Sequence, residues 1–302
     1  MIRSLSDLEK KLSGQKKTSR LVLAAGDDIY ALQAIKDAQI KGFVEPIIVG
    51  DKELILKLAD SKGIDLTNIE IYSEKDQVLA VEKAVQIVSE GGAEILMKGA
   101  SSTSILLKAV LNKEWGLRSG ALLSHISIFE IPLYHKLLSI TDVAINIAPS
   151  LEDKKNIIRN AVNFLISIGL SQPKVAIIAA VEKVYEAMPA TVDAAQIRDY
   201  FAKERTIDCI VDGPFALDNA VNKESALHKG IDSTVAGDAD LLLMPQIESG
   251  NVLYKALAFL VKTKSAAVVI GAAAPIVLTS RADSHDSKLN SIMLAAASLI
   301  EA

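Results

Sequence analysis

Cysteine is nearly absent from this sequence, because Cys209 is the only one among 302 residues. A single thiol cannot form an internal disulfide, and it cannot supply the cysteine cluster of a zinc or iron–sulfur site. The histidines at 125, 135, 228 and 285 are scattered, without H-x-x-x-H spacing. We therefore expect no metal site. Cys209 lies in an aliphatic strand pattern, which favours a core residue over a nucleophile.

Aromatic residues and excess charge are also scarce. Phe, Trp and Tyr make up 4% of the chain, and the net charge is −4. Such a balance shows no basic surplus for nucleic acid and no acidic tail. No uninterrupted apolar run reaches about 18 residues, and the N-terminal residues carry no apolar signal core. These absences predict a cytoplasmic protein that binds neither nucleic acid nor a membrane.

Aliphatic residues are plentiful instead, and hydrophobic residues make up 50% of the chain. Short aliphatic runs alternate with amphipathic segments, which is the pattern of parallel sheets covered by helices. Only residues 126–132 and 137–149 break this rhythm, since two strand-like runs follow each other as a hairpin or as a crossing between domains. The predicted helices include residues 52–62, 151–168, 192–203, 215–225 and 251–263. The final segment, residues 289–300, is predicted to be an amphipathic helix with Leu289, Ile292, Met293, Ala296 and Leu299 on one face. No strand follows it, so we expect it to pack on the first domain.

The length suits two domains. We predict an α/β protein with two three-layer α/β/α domains and mainly parallel sheets. The first domain would comprise residues 1–135 and 275–302, and the second residues 136–274.

Ligands of open parallel sheets bind beyond the carboxyl ends of the strands. One loop there lies in the segment GAAAPIVLTSRADSHDSKLN, residues 271–290. Thr279, Ser280 and Arg281 offer two hydroxyls and a guanidinium, a good combination for phosphate. Asp283 and Asp286 add two carboxylates. Spacing alone leaves a second interpretation open, in which Ser280 with Asp283, or Ser284 with Ser287, merely caps the final helix.

Two further loops are candidates for phosphate binding. The loop GASSTS places Ser101, Ser102 and Thr103 before a helix, where they bind phosphate or cap the helix. Lys108 and Arg118 follow nearby, as candidates for coenzyme phosphates or as ordinary surface cations. In a third segment, Gly250-Asn251 suits a phosphate contact, although the pattern favours a turn and cap, and Lys255 follows.

Three segments together resemble one known family. They read DGPFALDNA, VAGDADLLLMPQIESGNVLYKAL and APIVLTSRADSHDSKLNS. In order and spacing they resemble the signature segments of the phosphate acetyl/butyryltransferases, and the resemblance extends from about residue 19 to the end. The chain looks closer to the phosphate butyryltransferases. Its last motif reads PIVLTSRAD, where the acetyl enzymes typically read PVNDLSRG.

The resemblance implies an enzyme with its active site in a cleft between two α/β/α domains, usually dimeric or larger. The implied reaction is acyl-CoA + phosphate ⇌ acyl phosphate + CoA, by direct transfer in a ternary complex. Coenzyme A is then a substrate, and no permanently bound cofactor or metal is expected. The catalytic pair falls on Ser280 and Arg281, and Lys108 matches a basic position of the family.

The resemblance does not carry the family's base over directly, because the gapless equivalent of that acid is Ser287. Asp286 and Asp283 are therefore the candidate bases. The alternatives are a phosphate acetyltransferase, a phosphate:acyl-carrier-protein acyltransferase and a non-catalytic relative that binds CoA or anions.

Overall fold

The computed structural model describes residues 2–15, 18–204, 206–279 and 283–300. The strands in these ranges are β1 Ser19–Ala24, β2 Val44–Gly50, β3 Glu70–Ser73, β4 Ile95–Lys98, β5 Ser124–Glu130, β6 Leu137–Thr141, β7 Lys174–Ile178, β8 Ile210–Phe215, β9 Leu241–Leu243, β10 Lys264–Ile270 and β11 Ile276–Val277. The helices are α1 Leu5–Ser13, α2 Ile29–Ile40, α3 Lys52–Lys62, α4 Gln77–Ser89, α5 Thr103–Val110, α6 Leu151–Ile168, α7 Pro189–Phe201, α8 Leu217–Val221, α9 Lys223–His228, α10 Ile247–Leu260 and α11 His285–Ala297.

These elements form two compact units. The N-terminal unit holds Ser6–Ala121 and the chain from Ala266 onward, and the central unit holds Leu122–Ser265 and the residues up to Leu5. The sequence prediction puts β5 in the first domain and the chain up to residue 274 in the second. The structure instead groups β5 with the central unit, because β5 and β6 pair as an antiparallel hairpin.

The N-terminal unit has the strand order β3-β2-β1-β4-β11-β10. All neighbouring pairs are parallel except β10 with β11. Helix α11 packs on α2, while α4 packs on α5. Right-handed crossovers place these two groups of helices on opposite faces of the sheet. The prediction that the last helix returns to the first domain is confirmed.

The central unit has the strand order β5-β6-β9-β7-β8. Apart from the β5–β6 hairpin, its neighbouring strands are parallel. Helix α6 packs on α7, and α8 lies against β7 and β8. The predicted fold class, α/β with mainly parallel sheets, is therefore confirmed, and of the two interpretations of residues 126–149 the structure adopts the hairpin.

The helix predicted over residues 215–225 is wrong. Strand β8 continues through Gly213 to Phe215, and a Cβ at Gly213 would lie 2.9 Å from the Ile177 carbonyl oxygen. Two short helices, α8 and α9, follow. They separate at Asn222, whose side chain accepts a hydrogen bond from the Ser225 amide and so starts a new helix.

The amphipathic face predicted for the final helix is also wrong. Residues 291–297 of α11 are all buried, and Leu299, which the prediction placed on the buried face, is exposed. Small side chains, notably Ala295, Ala296 and Ala297, let neighbouring elements approach the helix closely from several sides. No helix in the described ranges combines the length and apolarity that are needed to cross a membrane.

Candidate active site

The loop after β4 is held against the end of β1 by backbone contacts. The amides of Gly99 and Ala100 each donate a 2.8 Å hydrogen bond, to the carbonyl oxygens of Ala24 and Ala25. A Cβ at Gly99 would lie 2.1 Å from the Ala25 oxygen, so only glycine fits there. These contacts fix residues 99–102 at the carboxyl edge of the parallel strands, where the sequence predicts a ligand.

Two buried polar side chains lie in this loop. Lys98 is buried, and its Nζ donates 3.0 Å hydrogen bonds to the carbonyl oxygens of Gly99 and Ser101. Ser101 is only 1% exposed, and its Oγ has no hydrogen-bond partner among the described residues. A buried hydroxyl without a partner is costly, so a ligand oxygen that paired with it would gain free energy.

A second ammonium group lies behind the neighbouring strand. Strand β11 runs parallel to β4, and Val277 pairs with Met97. Thr279 follows β11 and is buried, and its Oγ1 accepts a 3.1 Å hydrogen bond from Lys288 Nζ. Lys288 is 3% exposed, so a positive charge lies next to the segment that leads to the Ser280–Arg281 pair.

Sequence reasoning missed Lys288, because lysine in a helix is usually assigned to the solvent side. The spacing of residues in the last helix nevertheless indicated that Lys288 is buried. Lys288 stands three and four positions before Ser291 and Ile292, both of which are buried. That spacing places all three residues on one helix face.

Ser280 and Arg281 lie outside the described residues, whereas both candidate bases lie within them. Asp283 is half-buried, and Asp286, in the first turn of α11, has a side chain that is 89% exposed. The adjoining His285 has its Nδ1 3.3 Å from Asp286 and its Nε2 2.8 Å from Asp37 of α2. The contact between His285 and Asp37 joins the start of α11 to α2.

The capping interpretation is confirmed at two serines. Ser284 accepts a 3.1 Å hydrogen bond from the Ser287 amide and caps α11. Ser102 accepts a 3.3 Å hydrogen bond from the Ile105 amide and caps α5. Thr103 opens α5, and Lys108 is exposed in its last turn. Of the hydroxyls predicted in the GASSTS loop, Ser101 is therefore the one that remains buried without a hydrogen-bond partner among the described residues.

Arg118 lies next to another predicted loop. Its backbone forms an antiparallel bridge with Ala272, while the amide of Ala273 donates to the Leu117 carbonyl oxygen at 2.8 Å. The Arg118 side chain is exposed. The structure therefore brings a surface guanidinium to the small-residue segment that begins at Gly271.

Gly250 and Asn251 lie inside α10, so the predicted turn is wrong. A Cβ at Gly250 would lie 2.5 Å from the Asp142 carbonyl oxygen. Asn251 Nδ2 donates a 3.1 Å hydrogen bond to the Val143 carbonyl oxygen. Both residues hold α10 against the chain that follows β6, and Lys255 is exposed one turn later.

Asp142 organises the chain after β6, and sequence reasoning missed it. Its buried carboxylate accepts hydrogen bonds from the amides of His125, Ala144, Ile145 and Asn146, and a 2.7 Å bond from Asn146 Nδ2. A carboxylate directly after a strand, followed four residues later by asparagine, was the available signal. Both carboxylate oxygens of Asp142 therefore accept hydrogen bonds.

Comparison with known proteins identifies the family to which the chain belongs. Residues 77–296 match the family described as phosphate acetyl/butaryl transferase. The chain belongs to this family. It is 43% identical to the phosphate butyryltransferase of Clostridium acetobutylicum over 98% of both chains. It is 41% identical to the phosphate acetyltransferase of Thermotoga maritima, covering 93% of this chain and 95% of the relative.

A solved structure of the same kind also superposes on the chain. The crystal structure of a branched-chain phosphotransacylase from Enterococcus faecalis V583 matches with a TM-score of 0.81 and 31% identity. The match covers 92% of this chain and 98% of the other. The resemblance to phosphate acetyl/butyryltransferases that the sequence predicts is therefore confirmed.

Cys209 lies outside the candidate site and is half-buried. Burial, together with the charges of Asp208 and Glu204, raises the pKa of the half-buried Cys209 thiol to about 11. A thiol with that pKa remains protonated at neutral pH and is a poor nucleophile. Within the described ranges, His, Cys, Asp and Glu form no group of three or more that is suited to a metal ion.

Proposed function

We propose that this chain is a phosphate butyryltransferase, which moves a short acyl group between coenzyme A and inorganic phosphate. One observation carries the proposal. At the carboxyl edge of β4 and β11, two buried ammonium groups, Lys98 and Lys288, accompany the unpaired hydroxyl of Ser101. Cations and hydroxyl groups of this kind suit a phosphate oxyanion. The full-length similarity to named phosphate butyryltransferases supports the same reaction.

In the direction of acyl phosphate, a phosphate oxygen attacks the thioester carbonyl carbon. The carbon–sulfur bond then breaks, and CoA leaves as a thiolate that takes up a proton. Arg281 holds the phosphate and neutralises the charge that develops on the carbonyl oxygen, while Ser280 donates a hydrogen bond to the sulfur. Such preorganised electrostatic interactions are worth several kcal/mol.

In the reverse direction, Asp283 or Asp286 accepts the proton of the CoA thiol. The resulting thiolate attacks the acyl phosphate carbonyl carbon, and inorganic phosphate leaves. Asp283 is the more sheltered of the two carboxylates, because Asp286 is largely exposed. Direct transfer needs both substrates bound together, and holding them in reactive geometry supplies up to roughly 7–11 kcal/mol.

Coenzyme A takes part as a substrate, and the chemistry requires no metal. We also propose that the protein acts as a homodimer or a larger homo-oligomer. Exposed apolar side chains along α10 support this view, namely Val252, Phe259 and Leu260. A row of such residues is common where subunits meet.

A thiol-release assay tests the function. Acetyl-CoA, butyryl-CoA and a longer acyl-CoA are each mixed with the full chain, with and without inorganic phosphate, and free CoA is measured. We expect release that requires phosphate and is fastest with butyryl-CoA. A preference for acetyl-CoA would identify a phosphate acetyltransferase instead. Binding of CoA without any turnover would identify a non-catalytic relative and contradict the proposal.

A further inference from the structure

A cavity of about 620 Å³ lies within the central unit, at the carboxyl ends of β7 and β9. Ile178 and Ala179 line it from the end of β7, and Met244 and Pro245 line it from the residues after β9. Strands β7 and β9 pair in parallel, so their ends meet at one edge of the sheet. Ligands of open parallel sheets bind at that edge.

The lining of this cavity is mainly apolar. Met188 joins the residues from the two strand ends, and two methionines thus line one cavity. The cavity also contains Lys154 and Asp193, but Lys154 Nζ lies 2.6 Å from Asp193 Oδ2. Lys154 is only 6% exposed, so this ion pair is largely shielded from solvent. Its two charges cancel, and the pair adds no net charge that would attract an anion.

The proposed substrates differ in which of their parts fit such a cavity. Inorganic phosphate and the nucleotide end of CoA are anionic, and they need cations that are not already neutralised. An acyl chain is apolar, and each buried CH₂ improves affinity by roughly fourfold. The acyl chain is the purely hydrocarbon group of the substrates, and it matches the mainly apolar lining.

We propose that this cavity receives the acyl chain of the thioester and selects its length. The inference rests on the proposed function, since it takes acyl-CoA to be the substrate. Methionine side chains are unbranched and flexible, and they adapt to apolar groups of different shape. Met188 and Met244 therefore suit a cavity that packs against an acyl chain of several carbons.

Met188→Trp tests the inference by replacing a flexible side chain of the lining with a larger and more rigid one. The backbone of Met188 donates to the Tyr185 carbonyl oxygen at 2.8 Å and accepts from the Thr191 amide at 2.9 Å, and neither bond involves the side chain. We expect kcat/KM for butyryl-CoA to fall at least tenfold, while kcat/KM for acetyl-CoA changes less than threefold. Leu227→Trp is the matched control. Leu227 is 66% exposed on α9 and does not line the cavity.

A binding measurement separates this inference from the proposed function. By isothermal titration, the wild-type chain should bind butyryl-CoA roughly fifteenfold more tightly than acetyl-CoA, because two more CH₂ groups are buried. Met188→Trp should abolish that difference. A length preference in binding without phosphate-dependent turnover would refute the proposed reaction and leave the cavity assignment intact.

Met188→Ala provides a second test in case the Met188→Trp protein does not fold. Met188→Ala enlarges the cavity, and we expect the ratio of hexanoyl-CoA to butyryl-CoA activity or affinity to rise at least threefold. The assignment is refuted if folded Met188→Trp and Met188→Ala proteins keep the wild-type order of chain lengths in both measurements.

Discussion

Buried polar residues, more than exposed ones, mark the candidate phosphate site. Thr279, which the sequence predicts, is paired with Lys288, which it does not. Ser101, also predicted, is the serine of its loop that is buried without a hydrogen-bond partner among the described residues. A structural hydroxyl would normally be paired, because an unpaired buried hydroxyl costs about 1–3 kcal/mol. At the scale of the residue, function and stability therefore make opposite demands on Ser101.

The variant Ser101→Ala should change stability and phosphate binding in different ways. Removing an unsatisfied hydroxyl should leave the free energy of unfolding unchanged or raise it by about 1 kcal/mol. The KM for phosphate should rise several-fold, because one donor to the anion is lost. Urea denaturation and steady-state kinetics measure the two effects. A loss of stability with an unchanged phosphate KM would assign Ser101 a purely structural role.

Ser150→Ala is the matched control for this serine. Ser150 caps α6 and shares a capping box with Asp153, so its removal should cost about 1 kcal/mol of stability. The phosphate KM should stay at its wild-type value. The two serine variants thus predict opposite patterns in the same pair of measurements.

Arg281→Ala addresses the catalytic pair directly. The guanidinium is proposed to hold phosphate and to stabilise the charge of the transition state, and losing one such group costs about 10²–10³ in turnover. We expect a fall of at least a hundredfold with an unchanged melting temperature. Arg198→Ala, which removes an arginine of α7 in the central unit, should keep its activity. Near-normal turnover of Arg281→Ala would remove this residue from the mechanism.

At the scale of the element, prediction succeeded where local chemistry marks the ends. The bounds of α3 and α6 match the prediction, because Asp51 and Ser150 cap their starts and Gly63 and Gly169 adopt left-handed conformations at their ends. By contrast, α7 and α10 start earlier than predicted. Their N-cap residues, Met188 and Gln246, make no side-chain capping bond that a sequence pattern could reveal.

In the candidate site, the sequence likewise predicts the features that depend on neighbouring residues and misses those that depend on tertiary contacts. Loops rich in hydroxyl groups follow from strand ends and turn residues, so the sequence locates them. The burial of Lys288 depends on how α11 packs on α2, which are far apart in the sequence. The role of Gly250 likewise depends on the chain after β6. Such tertiary contacts leave only weak traces in the spacing of residues.

Gly250→Ala tests whether α10 depends on close approach to Asp142. Alanine has a helix propensity about 1 kcal/mol better than that of glycine, so propensity alone predicts stabilisation. The added Cβ would lie 2.5 Å from the Asp142 carbonyl oxygen, and overpacking of this kind costs about 1–3 kcal/mol. We expect net destabilisation by urea denaturation. Lys255→Ala, at another exposed position of α10, should be nearly neutral, and a stabilised Gly250→Ala would contradict the packing explanation.

At the scale of the whole molecule, each unit has its own apolar core, and a polar cluster closes the amino edge of the central sheet. Asp238, in the VAGDAD segment, accepts hydrogen bonds from Lys174 Nζ at 2.5 Å and from His135 Nε2 at 2.7 Å. Lys136 Nζ lies 2.9 Å from Asp238 and 2.7 Å from Asp240. These contacts join the chain before β6 and before β9 to the first residue of β7, and they give Asp238 and Asp240 of the signature segment a structural role.

The cluster predicts a pH dependence of stability. Partial burial raises the pKa of Asp238, but hydrogen bonds from Lys174, Lys136 and His135 outweigh it and hold the pKa well below its usual range. A carboxyl group whose pKa is lower in the folded state stabilises the fold above its unfolded pKa, near 3.9, and this contribution is lost as the pH falls. Asp238→Asn should therefore be less stable than wild type from pH 7 to 5, and the difference should shrink below about pH 4.

Urea denaturation at pH 7, 5, 4 and 3 measures that difference in the free energy of unfolding. Asp199→Asn is the control, because the Asp199 side chain is 63% exposed and pairs with the adjacent Arg198 on the surface of α7. Exposed pairs contribute little, so its difference from wild type should be small at every pH. A gap for Asp238→Asn that stays constant down to pH 3 would show that the carboxylate charge does not stabilise the amino edge of the sheet.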